Sequence, residues 1–189
     1  VISYERVTPP AAGPLSIEEA REVCAVDGDY SDALLTSLMA AGVALIEQIT
    51  GRALLAQGFR AEIDLEAAAG SEVIGIGWPP VTEVTAVSLR AVDGTVTVLD
   101  LAEITVIATR TGASLRRAPA AWPAEGHAVV TFTTGAAAAA DVPAELVHAQ
   151  RLLVAHWYAH REAVTPGGAT DLPFGVEALC AGHRVRWVA

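Results

Sequence analysis

The spacing of the apolar residues changes twice along the chain, and a chain with that pattern cannot be all helix or all sheet. Leu34, Leu35, Leu38, Met39, Gly42, Leu45, Ile46 and Ile49 recur at spacings of one, three and four, which places them on one helical face. From Gln57 to Thr134 the spacing falls to two: Phe59, Ala61, Ile63 and Leu65 alternate with Arg60, Glu62 and Asp64, as in a half-buried strand. After Val142 the helical spacing returns, with Leu146, Ala149, Leu153, His156, Trp157 and His160 on or near one face. A run of strands between two helical regions predicts an α+β fold with the sheet inserted.

Local signals set the expected boundaries. Pro9, Pro10, Gly13 and Pro14 predict an irregular, extended arm over residues 1–14. Ser16-Ile17-Glu18-Glu19 reads as a capping box opening a short helix to about Val26, which Asp27-Gly28-Asp29 breaks. Asp29 or Ser31 can cap the second helix and Gly51 is placed to end it. Gly42 inside that helix costs about 1 kcal/mol in propensity, so a close contact with another helix is expected there. Strands are expected at residues 73–76, 84–89, 95–99, 104–107 and 127–133, with Asp93-Gly94 as a two-residue hairpin turn. The Ala136–Ala140 run carries no readable signal. Asp141 should cap the next helix with Pro143 in its first turn, and that helix should run through Arg161. A turn at residues 165–168 and a short helix around residues 176–180, ended by Gly182, follow. Arg184, Val185, Arg186 and Trp187 then alternate basic and apolar, as an edge strand or a docking tail would.

Composition excludes several function classes. With 22 acidic residues against 12 basic ones, a net charge of −10 and a pI near 4.8, the 189-residue chain is no general nucleic-acid binder working by phosphate neutralisation. The same balance argues against docking on anionic membranes. The longest apolar run, residues 33–46, is interrupted by Thr36 and Ser37 and falls short of the roughly 18 residues of a membrane span. The first residues lack the basic-then-apolar order of a secretion signal. Cys24 and Cys180 match no metal or redox spacing and read as small apolar residues in a reducing compartment.

Candidate chemistry is thin. His156 and His160 stand four apart on a helix, a spacing that lets two imidazoles share a metal, but Trp157 occupies the position where a metalloprotease has its catalytic Glu. Glu162 is two residues beyond His160 and points elsewhere, so no third ligand is offered at usable spacing. Asp27, Asp29 and Ser31 imitate the start of a calcium loop whose twelfth position would be Leu38 instead of Glu. Gly75 and Gly77 lack the third glycine and the following helix of a dinucleotide fingerprint. Phosphate-cradling and nucleophile-elbow motifs are missing as well. Glu18, Glu19 and Glu22 read as a solvated face, and Arg116-Arg117 as exposed arginines. No cofactor, metal or catalytic residue is expected; a small α+β metal- or ligand-binding enzyme using His156 and His160 stays as the alternative.

The order of segments resembles the head–tail connector (adaptor) proteins of tailed phages and phage-derived gene transfer agents. The likeness runs through Pro14-Leu15-Ser16-Ile17-Glu18-Glu19-Ala20, the Asp27-Gly28-Asp29 turn, and the helix end Ile49-Thr50-Gly51-Arg52-Ala53-Leu54. It continues in Trp78-Pro79-Pro80-Val81, Ala121-Trp122-Pro123, Val142-Pro143 and Trp157-Tyr158-Ala159-His160-Arg161-Glu162. It closes in Leu172-Pro173-Phe174-Gly175-Val176-Glu177-Ala178-Leu179. Each motif is weak alone; together they span nearly the whole chain from Pro14 to about Arg186.

The resemblance implies a helical bundle of connector type, with two long helices plus short N- and C-terminal helices and an inserted antiparallel β region. In these terms residues 15–182 are one connector domain, with helical parts 15–54 and 141–182 and a β insertion at 55–135; residues 183–189 are a docking tail. It implies a non-enzymatic subunit of a ring, usually of twelve, beneath the portal protein. Such a ring extends the DNA channel, lets DNA pass without specific binding, and recruits a stopper or tail-completion protein. The free chain can be a monomer that closes into a ring only on its partner. It also implies a place in the virion or gene-transfer-agent particle, reached from the host cytoplasm, with no membrane. Portal contacts map to Arg184, Val185, Arg186 and Trp187, and helix or ring packing is expected at Leu38, Gly42, Leu45 and Trp157. Another virion completion or stopper protein is the alternative within the same class.

Overall fold

A computed structural model describes residues 2–68, 71–160 and 174–185. The chain divides into two compact units, one of residues 2–11 and 56–135 and one of residues 12–55, 136–160 and 174–185.

The first unit is all β. Its strands are β1 (Ile2–Thr8), β2 (Gln57–Asp64), β3 (Val73–Ile76), β4 (Val81–Arg90), β5 (Val96–Val98), β6 (Ile104–Thr109), β7 (Gly112–Arg117) and β8 (His127–Thr134). They form a five-stranded sheet in the order β1-β2-β8-β4-β5 and a three-stranded sheet in the order β3-β7-β6, with every pairing antiparallel. Register follows the period-2 pattern. Phe59, Ala61 and Ile63 stand beside Phe132, Val130 and Ala128, and all six are buried. The small sheet contributes Ile74, Ile76, Ala113 and Leu115 to the same core. Two sheets, each apolar on one face, thus cover each other.

The Trp-Pro motifs hold the corners of this unit. Trp78 stacks on Phe59 at 5.0 Å between ring centroids, and the Thr134 hydroxyl sits against the carbonyl oxygens of Trp78 and Pro80. Trp122 is buried and its Nε1–H donates to Glu72 O at 3.2 Å. Gly112 opens β7 at φ 150°, where a Cβ would lie 1.9 Å from Ile76 O. Only glycine lets these backbones approach so closely.

The second unit is helical: α1 (Ile17–Val23), α2 (Asp32–Thr50), α3 (Ala144–Ala159) and α4 (Phe174–Ala181). Ser16 caps α1 through the expected box: its Oγ accepts from Glu19 N at 3.2 Å while Glu19 Oε2 accepts from Ser16 N at 2.9 Å. Gly51 ends α2 in the left-handed region at φ 67°. Ile46, Leu54, Leu146, Leu153, Val176 and Cys180 share one core, and Leu15, Ala20, Leu35 and Val154 another.

Several expectations are corrected. The molecule is not a helical bundle with two long helices. Among the described residues the helices have 7, 19, 16 and 8 residues, while eight strands form two antiparallel sheets around a core of their own. The inserted antiparallel region fits in part, but β1 precedes the first helix. Residues 2–8, expected to be irregular, are that strand, because Pro9 and Pro10 stop regular structure only after it. The β7 strand was also not anticipated. The hairpin turn has three residues, Val92, Asp93 and Gly94, between the bonded Ala91 and Thr95. Asp141 belongs to a 3-10 turn, Ala139–Asp141, where it accepts from Ala138 N at 3.2 Å; Pro143 is the cap of α3 rather than a residue of its first turn. Within the alanine run, Ala136 bridges to Leu55. The α3 helix ends at Ala159. Arg161, Glu162, the turn at 165–168, and Leu172 and Pro173 lie outside the described residues.

By length and composition α2 could cross a bilayer. One side of it is packed against protein. Glu47 on it is buried and accepts from Leu54 N at 2.9 Å, and Leu35 and Ile46 are fully covered by protein.

Candidate functional site

Within the helical unit, the residues expected to pack helices meet one another across α2 and α3. A Cβ on Gly42 would lie 3.3 Å from Gln150 Cγ, 3.9 Å from Trp157 Cζ3 and 4.0 Å from Leu153 Cβ. The missing side chain is what lets the two helices approach, and it accounts for a helix-weakening residue in mid-helix. Gln150, fully buried, donates from Nε2 to Met39 O at 3.0 Å. Leu38, Leu45 and Trp157 are half-buried at the margins of the helical cores. The expected apolar stripe is buried or half-buried from Leu35 to Ile49, and of its eight residues Leu34 is the one exposed.

The start of the expected docking tail is anchored here. Val185 N donates to Thr50 O at 2.7 Å, and the Val185 side chain lies 3.5 Å from where a Gly51 Cβ would be. Thr50 is in the last turn of α2, whose carbonyls need outside donors. Arg184 beside it is exposed; Arg186 and Trp187 lie outside the described residues.

The histidine pair does not form a metal centre among the described residues. The His156 and His160 rings are 4.6 Å apart and tilted by 32°. His160 Nδ1 lies 3.0 Å from His156 O, a bond that places the ring proton on Nδ1. No three His, Cys, Asp or Glu side chains converge among the described residues. Burial pushes the Cys24 and Cys180 thiols up from their usual range.

The acidic first half is partly tied down. Asp32 accepts from Arg21 Nε at 2.8 Å and also pairs with its Nη2; this bond holds the Asp32 carboxyl below the usual carboxylate range and raises Arg21. The Ser16 backbone N–H lowers Glu19, which also pairs with Arg151. On the outer face of the large sheet, Arg60 pairs with Glu5 at 3.4 Å, and Arg90 pairs with Glu62.

Sequence reasoning missed the most exposed apolar region. Val96 and Val98 on β5 are 60% and 75% exposed, and Ile107 on β6 is 51% exposed. β5 ends the five-stranded sheet and β6 ends the three-stranded one, so both are edges. In the sequence, Val96 and Val98 alternate with Thr95, Thr97 and Leu99, a pattern that shows the two faces but not which is outward. At the other end of the two sheets, Ile2, Ile63, Asp64, Ser71, Val73 and Ile74 line an open cavity of about 280 Å³. These two ends present apolar contact surface.

Comparisons with known proteins agree with this character. The family model of the head completion protein matches residues 15–174. Among solved structures, the chain is similar to a protein in the neck of an empty gene transfer agent particle computed with C6 symmetry. The two are 28% identical, with a TM-score of 0.77 and coverage of 99% of this chain and 97% of that one. A chain in the neck of the native particle, computed with C12 symmetry, is likewise 28% identical, with a TM-score of 0.76 over 99% and 97%. One in the native gene transfer agent virion is 28% identical, with a TM-score of 0.74 over 98% and 97%. No curated protein matches the chain.

Proposed function

The chain belongs to the head completion protein family, and from that premise we propose that it is a head–tail adaptor subunit, one of a ring beneath the portal of a gene-transfer-agent or phage particle. The ring extends the channel through which DNA leaves the head and presents a platform to a stopper or tail-completion protein. The subunit works by shape and contact and transforms no substrate.

The observation that carries this reading is end-to-end likeness. Nearly all of this chain superposes on nearly all of a neck protein, in necks computed with C6 and with C12 symmetry. A shared fragment would support only a shared fold; matching both units supports a shared place in the particle. Charge supports it as well. A subunit of net charge −10 lining a conduit repels phosphate and lets DNA slide. Portal contact falls to the segment beginning at Arg184 and Val185 and continuing through Arg186 and Trp187. Val185 is hydrogen-bonded to the end of α2, so the helical unit would hold the root of that segment.

Electron microscopy and native mass spectrometry of the chain mixed with the portal of its own particle test the reading. A closed ring seated on the portal is expected. A chain that stays monomeric and ignores the portal, or one that carries a stoichiometric metal when purified without a tag, overturns it.

A further inference from the structure

The C-terminal end of the described chain is tied to the helical unit at two points, on two different helices. Terminal residues are loose in most domains unless something holds them. After α4 ends at Ala181, the His183 backbone N–H donates to Cys180 O at 3.0 Å. The His183 side chain reaches the start of α3, where its Nε2 lies 3.6 Å from Glu145 Oε2. Two residues on, Val185 N–H donates to Thr50 O in the last turn of α2, and the Val185 side chain packs over Gly51. His183 and Val185 are half-buried, while Arg184 between them is exposed. Alternate side chains of this short segment thus turn toward the helices, and Arg184 turns away.

Each point of attachment uses a helix end that has need of a partner. The last carbonyls of a helix find no donor within it, and α2 stops at Gly51 in the left-handed region, so Thr50 O is open to a donor from another segment. Glu145 stands in the first turn of α3, where the helix dipole favours a carboxylate. His183 follows the last turn of α4, where the dipole favours a cation. A protonated imidazole and a carboxylate that are both partly exposed attract only weakly by themselves. Combined with the Val185 bond, the pair fixes the direction in which the chain leaves α4.

We infer that this clasp, His183 on Glu145 and Val185 on Thr50, pre-organises the C-terminal segment for docking by holding Arg184 outward and fixing the point from which the chain continues. The inference rests on the portal reading above and names the residues that make the segment ready to dock. A segment whose root is already ordered loses less freedom when it binds. His183 and Glu145 act here as positioning residues and need not touch the portal themselves.

Variants of the full chain test it, first without the portal. The Val185 amide should be protected from hydrogen exchange in the wild-type chain, and His183→Ala or Glu145→Gln should each speed its exchange about two- to five-fold. The double variant should add nothing to either single change, because both remove the same pair. Exchange elsewhere in α2 and α3 should stay as in wild type, which separates an opened clasp from an unfolded helical unit. Binding to the portal should then weaken by a similar factor in these variants, and about ten-fold in Val185→Pro, which lacks the donor to Thr50 O. An unprotected Val185 amide in the wild-type chain overturns the inference and leaves the adaptor reading intact. Portal binding that is unchanged or stronger in the variants also overturns it, stronger binding showing a strap that must open. A wild-type chain that ignores its portal overturns the adaptor reading and the inference together.

Discussion

The two units finish their surfaces differently. In the helical unit, three polar side chains that enter the core find a backbone partner inside it, Glu47 with Leu54 N, Gln150 Nε2 with Met39 O and the Thr50 hydroxyl with Ile46 O, while Gln150 Oε1 is buried without one. Nine of the twelve large apolar side chains exposed among the described residues belong to the β unit, and five of them fall between Val96 and Ile107. Among the described residues the helical unit exposes three large apolar side chains, Val23, Tyr30 and Leu34. The β unit has a full core and unfinished edges. On the adaptor reading that division would separate stability from assembly, and substitutions should reveal it.

The largest effects are expected in the two cores. Phe132→Ala should cost about 3–5 kcal/mol and Leu153→Ala about 2–5 kcal/mol, since both side chains are fully buried. If each core belongs to its own unit, native-state hydrogen exchange should lose protection first in β2 and β8 for Phe132→Ala and in α2 and α3 for Leu153→Ala. Equal loss in both units for either variant would break the comparison. Gly112→Ala comes next, at about 2 kcal/mol or more, because its Cβ would strike Ile76 O and Gly77 Cα in a backbone conformation that side chains avoid. A denaturant midpoint within error of wild type would show that β3 and β7 separate freely.

Much of this division was legible in the sequence, and the failures have identifiable causes. The alternation of Phe59, Ala61 and Ile63 with charged residues placed β2 correctly, because a strand with one covered face carries its own signal. β1 alternates apolar and polar only over Ile2-Ser3-Tyr4-Glu5, too short a run beside Pro9 and Pro10 to mark a strand. β7 is the middle strand of its sheet, packed with Gly112, Ala113 and Ser114, which lack the β-branched and aromatic character that marks strands. The bundle expectation came from the resemblance, which identified the family correctly while overstating the helices. Edge exposure was illegible because it depends on which strand has no neighbour, a property of the whole sheet.

Smaller effects sharpen the helical side. Ser16→Ala removes a cap and should cost about 1 kcal/mol, read as a shift in the denaturant midpoint; no shift would mean that Glu19 alone holds the start of α1. The Arg21–Asp32 pair adds a pH dependence of known sign. The Asp32 carboxyl titrates below its unfolded value, so the stability it contributes is present above about pH 4 and is lost as pH falls through the lower, folded value. Asp32→Asn should therefore flatten the acid limb of a plot of thermal midpoint against pH. An unchanged limb would assign acid sensitivity to Glu19 or to the β unit.

The smallest expected effect is also the most discriminating. Val98→Thr changes almost no volume and adds a hydroxyl to a side chain that solvent already reaches, so folding stability should change by less than about 0.5 kcal/mol. Threonine is as well suited to a strand as valine, so the pairing with Ser88 should survive and the hairpin should keep its register. A loss well above that figure, measured by urea denaturation of the free chain, would mean that Val98 is covered by protein within the subunit and that the β edge is finished after all. A change too small to measure would mean that nothing within the fold selects an apolar residue there. The reason for valine at the edge would then lie outside the subunit.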